Sequence, residues 1–247
     1  IHDQSNILRS ITQVFERVDY TKDDLVQAER YVWNSTDGLH IEGWLYKPQG
    51  KSIGTIIRIH GGPTVHSEDV FNMSIQYFVS QGFTVLDPNY RGSTGFGISF
   101  QKAIEKDGWG GIEQGDILSG IRSLIVDGIA EEQKIGIIGT SYGGYSAWHA
   151  ITHFPKKYIA AAIPICGMTD LVVDYETTRP DLRRYSEEMM GGSPYEIPQK
   201  YQERSPINFI NNIEGALFIV QGANDPNVTL ENVHTVENAL KKNNIEY

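Results

Sequence analysis

The stretch that decides the fold is Lys134-Ile-Gly-Ile-Ile-Gly139-Thr140-Ser141-Tyr142-Gly143-Gly144. It begins as a short apolar run typical of a buried strand and continues into a helical pattern. Between the two stands Gly-x-Ser-x-Gly, a tight turn that presents a serine hydroxyl above the sheet. We therefore predict that Ser141 is a nucleophile and that the backbone N–H of Tyr142 faces the developing oxyanion. A glycine-rich turn without chemistry is the alternative.

Strands and helices alternate on both sides of this stretch. The predicted strands are Gly54–Ile59, Thr84–Leu86, Lys134–Ile138, Ile159–Ile165 and Ala216–Val220, and the predicted helices are Val70–Gln81, Gly115–Asp127, Tyr142–His153 and Leu230–Lys242. This alternation predicts an α/β fold with a mostly parallel central sheet flanked by helices. Residues 29–47 are expected to form an antiparallel hairpin that turns at Asp37-Gly38. Residues 174–212 are polar and contain prolines, which predicts an excursion over the sheet rather than a core element.

The composition excludes several classes of protein. Among 247 residues, 31 Asp and Glu stand against 21 Lys and Arg, and this net charge of −10 argues against a nucleic-acid partner. The apolar runs are far shorter than the roughly 20 residues of a membrane span, so no membrane partner is expected. The single cysteine, Cys166, excludes an intrachain disulfide and a cysteine metal site. We expect no metal and no cofactor, a cytoplasmic location, and an oligomeric state that the sequence leaves open.

Two further loops are predicted to contribute groups to the site of Ser141. His60-Gly61-Gly62-Pro63 follows a predicted strand, and a glycine-rich loop there can bring a second backbone N–H to the oxyanion. Asn224-Asp225-Pro226 follows the last predicted strand, where the acid of a Ser-Asp-His triad belongs in chain order. Turn chemistry alone would also explain both loops. A third glycine-rich loop, Asn89–Gly97 with Arg91, is interpreted as mainly structural.

Together these motifs resemble the prolyl oligopeptidase family of serine peptidases, most closely its acylaminoacyl-peptidase-like branch. The resemblance is carried by Ser35–Pro48, His60–Pro63, Asn89–Gly97, Gly139–Gly144, Ser205-Pro206 and Gly222–Asp225. It implies an α/β-hydrolase catalytic domain over residues 29–247 that cleaves short peptides through an acyl-enzyme on Ser141. Asp225 then matches the triad acid, and the N–H groups of Tyr142 and Gly62 match the oxyanion donors. A carboxylesterase and a non-catalytic binding domain of the same fold are the alternatives.

The chain departs from the family pattern at both ends. The family carries an N-terminal β-propeller, which we do not expect within this chain, and residues 1–28, which have the spacing of an amphipathic helix, are expected to be the stub that follows it. In the acid loop, Asn227 stands where the family usually has Arg, and Thr229 where it often has Pro.

The triad histidine is the residue that these motifs do not supply. His234 is the only histidine after Asp225, and it falls within a helical pattern. The few residues between them cannot hold the helix and strand that separate acid from base in this fold. We expect the histidine beyond Tyr247, together with the last strand and helix, so this chain alone should have little hydrolase activity. His149 and His153, at helical i, i+4 spacing, are interpreted as a structural pair because no Glu completes a His-Glu-x-x-His motif.

Overall fold

The computed structural model describes residue 21 and residues 24–247. The helix predicted within residues 1–28 lies largely outside these residues and stays a prediction. The strands are β1 Glu29–Asn34, β2 His40–Tyr46, β3 Gly54–Ile59, β4 Phe83–Asn89, β5 Ile135–Thr140, β6 Ile159–Ile165 and β7 Ala216–Leu217. The α-helices are α1 Met73–Ser80, α2 Ile98–Gln101, α3 Ile112–Val126, α4 Tyr142–His153, α5 Leu171–Thr177, α6 Pro180–Met190, α7 Pro198–Arg204 and α8 Leu230–Lys242. Among the described residues, 3₁₀ helices span Lys102–Lys106 and Pro206–Asn212.

Within the described residues, seven strands form one sheet in the order β1-β2-β4-β3-β5-β6-β7. The first three strands of this order are antiparallel, and every pair from β4 to β7 is parallel. The predicted hairpin is confirmed: Asn34 pairs with His40, and the chain turns through Gly38 at a φ of 84°. The α/β fold with a mostly parallel sheet is therefore confirmed.

Helices pack on both faces of this sheet. On one face, Ile75 and Val79 of α1 form a small buried cluster with Tyr46 of β2 and Val85 of β4. The main core lies on the other face, where burial alternates along β3 so that Ile57 and Ile59 point inward. Helix α4 carries mainly small and aromatic side chains and is buried along almost its whole length. None of the described helices has the length and apolar character needed to cross a bilayer.

The segment 174–212 differs from its prediction. Most of it folds into helices α5 to α7 and the second 3₁₀ helix, and it places Met190 and Tyr201 in the main core at 0% and 1% exposure. The expectation that it is no core element is wrong. The segment is polar on average, but each short helix buries the few apolar residues on its inner face, and an average over the segment does not reveal them.

Candidate functional site

Ser141 lies at the junction of β5 and α4, and its backbone is strained. Its φ of 59° and ψ of −120° fall in a region that residues with a Cβ rarely adopt. The N–H of Ser141 donates to the carbonyl of Ile165 at the end of β6, at 2.9 Å, which ties the turn to the neighbouring strand. The Ser141 side chain makes no capping bond to α4, so its hydroxyl is available for chemistry.

Glycines allow the chain to pack this tightly around Ser141. A Cβ on Gly139 would lie 2.3 Å from the carbonyl oxygen of Gly143. A Cβ on Gly143 would lie 2.1 Å from the carbonyl oxygen of Ile59, so α4 could not start this close to β3. The two glycines of the motif are therefore required by contacts within the turn and between the turn and the sheet.

Replacing Ser141 by glycine is expected to raise the free energy of unfolding by about 1–2 kcal/mol, because glycine adopts this backbone region without strain. Ser141→Ala is the matched control, since it removes the same hydroxyl but keeps the Cβ and hence the strain. Urea unfolding of the two variants measures the difference. Equal midpoints for the glycine and alanine variants would contradict a strained turn.

Two backbone N–H groups are free near the Ser141 side chain. The loop His60–Pro63 lies against the turn, since a Cβ on Gly61 would be 3.5 Å from the Cβ of Ser141. The N–H of Gly62 and that of Tyr142 donate to no acceptor in residues 24–247. The first N–H groups of a helix have no intrahelical partner, and the helix dipole adds positive potential at that end. Both groups can therefore stabilise an anion at this position.

His60 holds the loop in place. Its ring stacks on Tyr90 with 4.4 Å between centroids, and its Nε2 lies 2.9 Å from the hydroxyl of Ser93. The hydroxyl of Tyr90 donates to the His60 carbonyl at 2.9 Å. Burial lowers the pKa of His60 to about 4, so the ring is neutral at physiological pH. His60 therefore joins two loops and makes no hydrogen bond with Ser141.

Arg91 anchors the loop Asn89–Gly97 with two ion pairs. Its guanidinium donates to Asp37 in the β1–β2 turn at 2.8 and 2.9 Å. It also donates to Asp116 of α3 at 2.9 and 2.8 Å, and Asp116 is fully buried. This geometry favours the structural role inferred for the loop.

Asp225 lies in the loop that follows β7, at the same edge of the sheet as Ser141. Its Oδ1 accepts the N–H groups of Asn227 and Val228 at 2.8 and 3.2 Å, an Asx turn that holds the carboxylate in place. The strand before it is shorter than predicted, but Val220 still bridges to Ile165. Ser141 donates to that same residue, so both loops are positioned by the end of β6. Carboxyl ends of parallel strands are where open α/β sheets bind their ligands.

Cys166 borders the acid loop. Its N–H donates to the carbonyl of Val220 at 2.8 Å. Burial, and after it the neighbouring Asp225 carboxylate, raise the pKa of the thiol. The thiol therefore stays protonated beside the proposed triad acid.

No histidine in residues 24–247 hydrogen-bonds with Ser141 or Asp225. His234 lies in helix α8, as the helical spacing predicts, and its side chain is exposed. His149 and His153 stack on each other at 4.0 Å within α4, and burial lowers the pKa of both. Across the described part of the chain, no three or more His, Cys, Asp or Glu residues are grouped to hold a metal ion.

Two buried acids near the site were not predicted from the sequence. Glu113 lies in the first turn of α3, and it accepts a hydrogen bond from the hydroxyl of Tyr142, which is remote in sequence. Asp174 lies in α5, 3.4 Å from the amide nitrogen of Asn232 in α8. Burial, with the charges of Asp225 and Asp170, raises the pKa of Asp174 to about 7. An acid within the otherwise apolar start of a helix was the available signal for Asp174.

Asp174→Asn is expected to stabilise the protein at pH 8 by roughly 2–4 kcal/mol and to change little at pH 4. The folded-state pKa is raised, so the native state holds the proton more tightly, and stability falls as pH rises from about 4 to 7. The Asn232 Oδ1, buried without a partner among the described residues, also gains a donor. Denaturant titrations at both pH values measure this, with the exposed Asp181→Asn as the control. An equal change at both pH values would exclude a buried titrating acid.

The chain resembles known proteins in both sequence and structure. Residues 69–247 match the model of the prolyl oligopeptidase family. The chain is 32% identical over 195 residues to dipeptidyl peptidase family member 6 of Caenorhabditis elegans, covering 77% of this chain and 26% of that protein. It is 29% identical over 222 residues to the acylamino-acid-releasing enzyme of Arabidopsis thaliana, covering 86% and 28%. The chain thus spans about a quarter of the length of these curated relatives.

The structural similarity extends over more of the chain than the sequence similarity does. The acylaminoacyl peptidase of Pyrococcus horikoshii superposes with a TM-score of 0.83 at 26% identity, over 94% of this chain and 37% of that one.

Proposed function

The chain belongs to the prolyl oligopeptidase family, and from that premise we propose that it is the catalytic domain of a serine peptidase. Its substrates are short peptides, cleaved through an acyl-enzyme on Ser141. One observation carries the proposal: a serine with a strained backbone lies beside two unpaired N–H groups, those of Gly62 and Tyr142. A turn with a merely structural role requires neither feature.

The reaction follows from this arrangement. The Oγ of Ser141 attacks the amide carbonyl carbon and gives its proton to a base. The carbonyl oxygen becomes an anion that accepts from the N–H groups of Gly62 and Tyr142. The C–N bond breaks as the amine takes the proton, which leaves an ester on Ser141. Water then attacks this ester and releases the acid, so one water is consumed for each peptide bond.

We further propose that Asp225 orients the base, a histidine outside residues 24–247. The carboxylate would hold the imidazole in the tautomer that accepts the serine proton. His234 is exposed on α8, so His234→Ala in the full-length protein should leave turnover near normal. Loss of turnover in that variant, with the fold intact, would identify His234 as the base instead.

A fluorophosphonate probe and two substrates test the proposal. The probe should label Ser141 alone among the serines of the full-length protein, as mapped by mass spectrometry, and Ser141→Ala should abolish labelling. Turnover of blocked and free short peptides is then compared with that of p-nitrophenyl esters. Ester turnover without peptide turnover would replace the peptidase by a carboxylesterase. Labelling that survives Ser141→Ala would remove the assignment altogether.

A further inference from the structure

A buried carboxylate lies beneath the turn that carries Ser141. Glu113, in the first turn of α3, is fully buried. Its Oε1 accepts the hydroxyl of Tyr142 at 2.8 Å and the N–H of Gly110 at 2.6 Å. Its Oε2 accepts the N–H of Gly111 at 2.9 Å. The residue that follows the nucleophile is thus bonded through its side chain to the start of another helix.

A second hydrogen bond connects the N-terminal parts of α3 and α4. The amide of Gln114 donates to Glu113 and to the hydroxyl of Ser146 on α4, both at 3.0 Å. Glu113 therefore accepts four donors, three at Oε1 and one at Oε2. Burial raises the pKa of Glu113, and its donors oppose that rise. These four hydrogen bonds favour the charged form of the carboxylate.

The turn at Ser141 needs such support from outside. Ser141 does not cap α4 with its side chain, and its backbone is strained. A strained conformation persists only where surrounding contacts hold it. The ring of Tyr142 packs against that of Trp109 at a centroid distance of 5.5 Å, and its hydroxyl donates to Glu113. These contacts fix the residue whose N–H faces the oxyanion.

We propose that Glu113 is a positioning residue of the oxyanion hole, acting through the hydroxyl of Tyr142. By accepting the Tyr142 hydroxyl, Glu113 fixes the position and orientation of the first residue of α4. The Tyr142 N–H therefore keeps its direction toward the reacting carbonyl. The inference rests on the proposed function, because it assumes that Ser141 reacts. Small displacements of such groups lower the rate strongly, since a 1 Å misplacement can cost on the order of 10²-fold.

Tyr142→Phe in the full-length protein tests the contact most cleanly. It removes the hydroxyl alone, and Glu113 keeps its bonds to Gly110, Gly111 and Gln114. Tyr145→Phe is the matched control: it is also fully buried on α4, and its hydroxyl donates to the carbonyl of Arg204 at 2.9 Å without touching Glu113. We expect Tyr142→Phe to lower kcat on an ester substrate about tenfold with KM little changed. Tyr145→Phe should lose similar thermal stability but keep kcat within about twofold.

A double variant and the probe separate this proposal from the proposed function. Glu113→Gln should lower kcat as well, because a neutral amide accepts the Tyr142 hydroxyl more weakly than a carboxylate does. The kcat of the double variant Glu113→Gln with Tyr142→Phe should fall no further than that of the lower single variant, because both changes act on the same contact. Equal kcat changes in Tyr142→Phe and Tyr145→Phe, or multiplying effects in the double variant, would overturn the role of Glu113. Unchanged turnover in Ser141→Ala would instead overturn the proposed function.

Discussion

Ser141→Ala is expected to lower turnover by the full-length protein on the order of 10⁶-fold, the scale observed when a triad serine is removed. The alanine leaves the strained turn and both free N–H groups in place, so substrate binding and oxyanion stabilisation persist. What is lost is the covalent step, and the residual rate should stay above that of the uncatalysed reaction. Steady-state kinetics on an ester and a short peptide, with active-site titration of the wild type, measure the effect.

The exposed Ser99→Ala variant is the control for serine removal in general, and it should keep wild-type turnover. Circular dichroism and the thermal midpoint establish that both variants are folded. A loss smaller than about tenfold in Ser141→Ala would show that another group performs the chemistry.

Arg91→Met is expected to destabilise the protein by about 3–5 kcal/mol, because it leaves a charged partner buried without compensation. Asp116 is fully buried, and Arg91 itself is only 4% exposed. Methionine retains much of the aliphatic packing, so the effect reports mainly on charge and hydrogen bonds. Urea unfolding monitored by tryptophan fluorescence measures the loss.

Two further variants define the cause of that loss. Lys134→Met removes an exposed ion pair with Glu131, whose side chains are 52% and 57% exposed, and should cost less than about 1 kcal/mol. Adding Asp116→Asn to Arg91→Met should restore part of the lost stability, because it removes the stranded charge. A double variant less stable than Arg91→Met would mean that packing, not charge, dominates.

Features encoded by neighbouring residues could be predicted from the sequence. Helices α4 and α8 begin and end at the predicted residues, since their apolar positions recur with the helical period. The turn at Ser141 could be predicted because the two glycines that it requires, Gly139 and Gly143, lie within the same five-residue motif. Helix α3 begins at Ile112 rather than Gly115, because Glu113 accepts the N–H groups just before it.

Features that depend on distant residues could not be predicted in this way. The partner of Glu113 lies 29 residues away on another helix, and that of Asp174 lies 58 residues away. Nothing in the spacing around either acid indicates which helix will cover it. The core residues of the segment 174–212 were missed for the same reason, since their burial is set by the sheet onto which they fold.

The strand order determines when, during synthesis, the middle strands of the sheet can pair. Strands β1 and β2 are joined by a short turn, so their pairing needs only local loop closure. Strand β3 pairs with β5 through contacts such as Ile57 with Ile137, and α1, β4 and α3 all lie between them in the chain. During synthesis the backbone N–H and C=O groups of β3 on that side therefore have no partner until the strand leading to Ser141 has emerged. Non-local pairing of this kind is slow and exposed to misassembly. The same strand that presents the serine thus also closes the middle of the sheet.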